Sequence, residues 1–458
     1  MRKRWLKVAA LPISFALIAA ACGGDDDSVS DAVDEIEETI DEAVEEVEGA
    51  IDEAVGGVEG VVTVTGPERS EEEAGSLQEV LGAFGAANGF EVVYIGDADW
   101  EANIDVQVQG GNPPDISIFP QPGKLADFAR DGDLVPLPAD VAATVDANWS
   151  PDWIRYGTVD GVQYGVPVKS DLKSLVWYVP STFEENGYEV PETFDDFLAL
   201  MDQMVADGNR PLCVGIESGT ATGWVFTDWT EEMVLRLHGP DVYDQWVDNE
   251  IPFDDPRIVE SMQAVIDVWT PENVFASGGT IAATSFQDNG QPLVDGDCMM
   301  HRQASFFSAF LPEGTPFADG SEGAVDVFYF PDIDGSRPVL GAGTLAAAFN
   351  DDPATMAVLE YMGTAEYAET RQAAQAALTG GLSGFLSAAI GQDPSVYTPL
   401  EQSFLEILET SAIFRFDASD LMPGAVGAGT FWTEGTSAVN GDITVEEAAA
   451  NIQASWPN

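Results

Sequence analysis

Trp224, Asp228 and Trp229 fall within six residues, so one helix start can present two indole rings and a carboxylate together. That set suits a ligand with C–H-lined faces and rows of hydroxyls. Rings cover the faces, and planar two-point hydrogen-bonding groups reach neighbouring hydroxyls. Trp432, after a glycine-rich loop, offers a further ring. Trp177 alternates with Tyr178 along a strand, so at most one of the two faces a cleft, with the core as the other place for Trp177. Arg302 stands between His301 and Gln303 and is one of only 13 basic residues beyond position 22. It calls for a defined partner, either the ligand or a structural carboxylate. Glu68, Asp115, Gln121 and Thr344 follow or flank strand ends, where ligands of α/β sheets gather. The competing reading of 224–229 puts both indoles in the core and makes Asp228 a helix cap.

Catalytic chemistry has no comparable foothold. The only histidines are His238 and His301, no Cys-His cluster has metal spacing, and no phosphate loop or nucleophile elbow occurs. Among 80 acids a carboxylate pair suited to glycoside hydrolysis can always be found, but nothing marks a particular pair. No cofactor and no metal is expected.

The N-terminus sets the compartment. Arg2, Lys3, Arg4 and Lys7 precede an apolar run, 8–21, too short for a bilayer of roughly 30 Å and typical of an export signal. Leu17-Ile18-Ala19-Ala20-Ala21-Cys22 resembles a lipobox, with Ala19 where that pattern prefers Leu. The expectation is a signal peptide over 1–21 and a lipid on Cys22. The rest then lies outside the cell, touching the membrane through that lipid only. With Cys22 used, Cys213 and Cys298 remain; an oxidising compartment favours joining them, and two separate buried thiols are the alternative.

Of 17 basic residues, four lie in the signal, while 23–60 holds 16 acids and no base. The body, 61–458, keeps 64 acids against 13 bases, an excess of 51. Nucleic acid and anionic lipid surfaces are excluded as partners, because the long-range field repels both. A saline habitat would account for such acidity, since salt screens the self-repulsion. Residues 22–60 read as a low-complexity tether. Its 11-residue repeat (40–44 recurring at 51–55) carries a helix-type apolar stripe, opposed by dense like charge and four glycines.

Beyond 60, 398 residues exceed one ordinary core and imply two lobes. Strands are expected at 61–65, 90–95 and 115–119, a hairpin turning at Asp160-Gly161, and helices at 76–88, 194–207, 228–237, 257–269, 353–361 and 446–454. Strand, helix, strand opens an α/β sheet.

Five ordered blocks then resemble the extracellular sugar-binding proteins of ATP-driven importers. They include Gly110-Gly111-Asn112-Pro113-Pro114-Asp115, Asp160-Gly161-Val162-Gln163-Tyr164-Gly165-Val166-Pro167, Ser174-Leu175-Val176-Trp177-Tyr178 and Val190-Pro191-Glu192-Thr193-Phe194. Cys213-Val214-Gly215-Ile216, Thr222-Gly223-Trp224, Asp297-Cys298-Met299-Met300-His301-Arg302, Phe416-Asp417-Ala418-Ser419-Asp420 and Gly429-Thr430-Phe431-Trp432 narrow the resemblance to α-glucoside-binding members. The resemblance implies an α/β, two-lobed periplasmic-binding-protein-like fold (class II) with a hinge of crossing segments. It places lobe 1 at 61–168 and 339–392, lobe 2 at 169–338, and a C-terminal helical part, 393–458, mainly with lobe 2. It also supports a Cys213–Cys298 bridge. As partners it implies a small carbohydrate, an α-glucoside or malto-oligosaccharide, and an ABC permease, for a monomeric receptor that is not an enzyme. A secreted glycoside-acting enzyme or a lipid-anchored carbohydrate-binding adhesin are the alternatives.

Overall fold

The computed structural model describes residues 60–333 and 335–457. The expected signal over 1–21, Cys22 and the tether up to residue 59 lie outside the described residues.

The β-branched run at the start of the body forms β1 (Val61–Gly66), which pairs in parallel with β2 (Glu91–Gly96) and β3 (Ile116–Phe119). The intervening helix, Glu71–Asn88, begins earlier than expected because Ser70 caps it. The Ser70 hydroxyl accepts from the Glu73 amide at 3.1 Å, and three glutamates sit in the electropositive first turn. The expected hairpin is β4 (Thr158–Val159) against β5 (Val162–Gln163), turning through Asp160 and Gly161, both at positive φ.

Two sheets organise the described residues. In the first, β12 (Val339–Ala348) is buried along its whole length and is the shared member. It runs antiparallel to β3 and to β6 (Val166–Leu172), and parallel to β13 (Phe414–Phe416). The second has the order β11 (Asp326–Tyr329), β7 (Leu175–Tyr178), β10 (Met300–Arg302), β8 (Leu212–Cys213), β9 (Val274–Phe275). Only Lys173 and Ser174 separate β6 of the first sheet from β7 of the second. This is the mixed α/β, two-lobed architecture expected from the resemblance.

Each sheet carries its own apolar core. Val62, Val64, Leu81, Ile116 and Leu359 pack in the first lobe, and Phe197, Met233, Trp246, Met262 and Ile452 in the second. A third cluster, with Leu172, Trp177, Phe307 and Phe404, fills the region where β6 passes into β7. The C-terminal helices Phe431–Asn440 and Val445–Ala454 add Ala438, Ala448 and Ile452 to the second core, while β13 belongs to the first sheet. Cys213 and Cys298 are joined, with Cα atoms 5.4 Å apart and a sequence separation of 85. No helix among the described residues is long and apolar enough to cross a membrane.

Candidate ligand-binding cleft

A trench lies between the two lobes. About 920 Å³ between its walls is free of protein atoms, part of it open to solvent, within the range of small-molecule sites.

Its first-lobe wall starts where β1 ends, with Glu68 in the turn before the capped helix. Glu68 is buried, 3.2 Å from Lys169 Nζ and 3.4 Å from the Arg371 guanidinium. Burial alone would raise its carboxyl; Arg371 and then Lys169 outweigh that and hold it below the ordinary carboxylate value. Gln121 follows β3, and its Oε1 is buried with no partner among the described residues. Thr344 comes from β12. Glu73 and Glu101 also face the trench, each pushed up to about 7, chiefly by burial.

The floor is the alternation of β6. Lys169 and Asp171, with Lys173 next in the same register, face the trench, while Val168, Ser170 and Leu172 face away. Lys173 Nζ lies 2.7 Å from Asp228 and 2.5 Å from Asp417. Burial works against its charge, but those two carboxylates raise it well above the ordinary lysine value. Asp417 is held low: Lys173 overcomes the effect of burial. Asp228 goes the other way, up to about 7, because burial and then the neighbouring Asp417 outlast the pull of Lys173. Asp228, Glu231 and Asp417 each bring a carboxylate oxygen within 4.8 Å of the others, a grouping able to hold a cation. The Lys173 ammonium bonded to Asp228 and Asp417 supplies that positive charge.

The second-lobe wall is aromatic. Trp224 opens the helix Trp224–Leu237, its ring 5.0 Å edge-on from Phe286 and 6.1 Å from Phe306. Gly223, at φ +116, lets this helix start pack on the chain at Trp432: a Cβ there would stand 2.3 Å from the Trp432 carbonyl. Trp432 itself lines the trench, and its buried Nε1–H has no partner among the described residues. Arg69, from the other lobe, sits 5.8 Å from the Phe286 ring centre.

Six of the residues singled out from sequence, Glu68, Gln121, Trp224, Asp228, Thr344 and Trp432, therefore share one trench. Four do not reach it. Asp115 precedes β3 and so sits at its N-terminal end, where its carboxylate accepts from the Thr63 amide (2.7 Å) and the Asn350 side chain (2.7 Å), tying strands together. Trp177 is sealed in the core between the sheets, its Nε1–H donating to the Gln303 carbonyl. Trp229 is five residues on from Trp224, off the face shared by Trp224 and Asp228, and packs on Trp269 and Phe330. Arg302 is wholly buried behind the wall and donates to Glu232 (2.8 Å) and Asp228 (3.4 Å), so its partners are structural carboxylates. Lys169, Asp171, Lys173, Asp420 and Phe286 were missed as site residues. The signal for the first three was present: three charged residues alternating with Val168, Ser170 and Leu172 in a strand.

Chemically, the trench pairs indole and phenyl faces with ion-paired carboxylates and with the Gln121 oxygen, which has no partner among the described residues. The model of the bacterial extracellular solute-binding protein family matches residues 69–369, which hold most of both sheets and most of the trench. The chain is 38% identical over 413 residues to the alpha-glucosides-binding periplasmic protein AglE of Rhizobium meliloti, covering 86% of each. It is also 38% identical over 409 residues to the osmoprotective compounds-binding protein GgtB of Synechocystis, covering 86% of this chain and 92% of that one. A solved chitin oligosaccharide binding protein, 16% identical, superposes with a TM-score of 0.72 over 86% of this chain and 97% of its own, which speaks for the fold. Sequence match, sheet order and a trench between two lobes converge: the chain belongs to the bacterial extracellular solute-binding proteins.

Proposed function

We propose that this chain captures an α-glucoside or malto-oligosaccharide between its lobes and delivers it to a membrane ABC permease. It does so as a monomer, held outside the cell by a lipid on Cys22, without turning its ligand over. The lobes meet at the Lys173–Ser174 crossing. The observation that carries the reading is the joint placement of Trp224 and Trp432 with Glu68, Gln121 and Asp228 on one trench. Rings take the C–H faces of a sugar, and carboxylates and the Gln121 oxygen take its hydroxyl protons. The 38% identity to AglE supports an α-glucoside as the class. The equal identity to GgtB supports a second reading, an osmoprotective compound as the ligand.

Calorimetric titration with maltose, trehalose, sucrose and glycine betaine tests both. Saturable heat with a glucoside, weakened about 10-fold or more in Trp224→Ala and Trp432→Ala, is the expected result. Binding of glycine betaine alone would favour the second reading. Release of glucose on prolonged incubation would replace a receptor with an enzyme, and heat unchanged by both substitutions would remove the trench as the site.

A further inference from the structure

Asp99 is the N-cap of the helix Trp100–Gln109, where an aspartate ordinarily accepts from its own first turn, yet its side chain makes no such bond. One of its carboxylate oxygens instead accepts from the Thr220 amide at 3.1 Å. The two residues belong to opposite lobes. Asp99 follows β2 of the first sheet, and Thr220 lies between β8 of the second sheet and the helix Trp224–Leu237.

The Thr220 turn is braced from within. The Gly219 amide donates to Glu217 Oε1 (2.9 Å), the Ser218 amide to Thr222 Oγ1 (3.0 Å), and the Thr222 hydroxyl to the Gly219 carbonyl (2.7 Å). Gly219 sits at φ +59, and a Cβ on it would stand 2.7 Å from Asp99 Oδ1 and 3.1 Å from the Ala98 carbonyl. The neighbours Ala98, Ser218 and Ala221 line the trench, while Asp99 and Thr220 do not. The contact is therefore at the solvent-exposed rim, beside the trench lining.

We propose that Asp99 and Thr220 form a latch that holds the two lobes together over a captured ligand and sets how long it stays. This rests on the receptor reading above. A bond made only in the closed form adds to the stability of that form alone.

The test uses the full chain, with maltose as probe, followed by stopped-flow tryptophan fluorescence. Asp99→Ala should raise the maltose off-rate about fivefold and leave the on-rate nearly unchanged. Asp99→Asn, whose amide oxygen still accepts, should restore most of the difference. Gly219→Ala, which obstructs the same approach from the other lobe, should also speed release. Melting of unliganded Asp99→Ala and Asp99→Asn should match the parent, whereas Gly219→Ala, strained at positive φ, should melt somewhat lower and is read by its off-rate. Small-angle scattering should show Asp99→Ala more open than the parent, with or without sugar. An unchanged off-rate in both Asp99→Ala and Gly219→Ala overturns the latch. If the parent binds no sugar, the carbohydrate reading fails by itself, and scattering decides the latch: identical profiles for parent and Asp99→Ala overturn it.

Discussion

The Lys173 ammonium lies 2.7 Å from the Asp228 carboxylate, joining the two-residue crossing between the sheets to a helix of the second lobe. Asp417, from the segment after β13, takes the other side of the same ammonium at 2.5 Å. Both acids are almost wholly buried, and the Trp224 ring centre is 5.7 Å from the lysine nitrogen. One charge at the hinge thus binds three separate stretches of chain and supports the aromatic wall of the trench.

Removing it should be costly. Lys173→Met leaves buried Asp417 without its counter-charge and Asp228 with only Arg302 at 3.4 Å, a loss of about 3–5 kcal/mol for a broken buried pair. A lower urea midpoint with an unchanged slope would register it. Adding Asp228→Asn and Asp417→Asn to that variant should recover a large part of the stability. A Lys173→Met midpoint equal to the parent's would show that the crossing is held by packing alone.

Stability should fall as pH rises from 5 to 8. Glu73, Glu101 and Asp228 are each pushed up to about 7, chiefly by burial, from ordinary values of 4.5 or below. The unfolded chain releases these protons first, so across that window it binds fewer protons than the folded chain, and the slope of stability against pH is negative. His301, pushed down to about 4 by burial from 6.5, works in the opposite sense below 6.5. Glu68 and Asp417, held low, matter only in acid. The decline should therefore be steepest between about pH 5.5 and 7 and level off above that, and Glu101→Gln should flatten it by on the order of 1–3 kcal/mol. Chemical denaturation at four pH values measures this; a parent curve that rises to pH 8 would contradict the assignment.

The same residues show where sequence reading succeeded and where it stopped. β1, the helix ending at Gly89 and the Asp160-Gly161 hairpin are encoded locally, by β-branching, a left-handed cap and a turn pair, and were legible. The helices Trp100–Gln109 and Ala139–Asn148 were not. Each buries only two or three residues, so the apolar stripe is too faint to stand out. Trp224 and Asp228 were found because rings and carboxylates close in sequence share a helix face. Trp229 was over-read for the same reason, since spacing says nothing about which face meets solvent; the scarcity of basic residues marked Arg302 as partnered but could not tell a ligand from the structural carboxylates it meets. Asp115 and Gln121 flank one short strand, and only the direction of that strand separates the trench end from the far end.

The bridge between Cys213 and Cys298 closes 85 residues of the second lobe and ties the edge of β8 to the chain entering β10. Closing a loop of that length restrains the unfolded chain by about 4.5 kcal/mol in the chain-entropy account. A Cys213→Ala, Cys298→Ala double variant should melt several degrees lower, and dithiothreitol should lower the parent's melting point but leave the variant's untouched. Sensitivity of the variant to dithiothreitol, or equal melting of the two proteins, would deny the bridge a stabilising role.

Salt should stabilise the protein through its surface charge. Beyond residue 60 there are 64 acids and 13 bases, and six of those bases, Lys124, Lys169, Lys173, Arg236, Arg302 and Arg371, are buried. They are spent on internal carboxylates and carbonyls, such as Glu232 for Arg236 at 2.6 Å, and do little to offset the exterior field. The surface is left to repel itself, and that repulsion is relieved on unfolding. The Debye length shrinks from about 10 Å at 0.1 M to about 3 Å at 1 M, so most of the relief should come below about 1 M. The melting temperature is expected to climb by more than about 5 °C between 0.05 and 1 M sodium chloride and then level off. Replacing a set of exposed acids such as Glu184, Glu185, Asp351 and Asp352 by their amides should raise the low-salt melting point and shrink the climb. A melting temperature that ignores salt in the parent would mean that the acids are spaced widely enough for water alone to screen them.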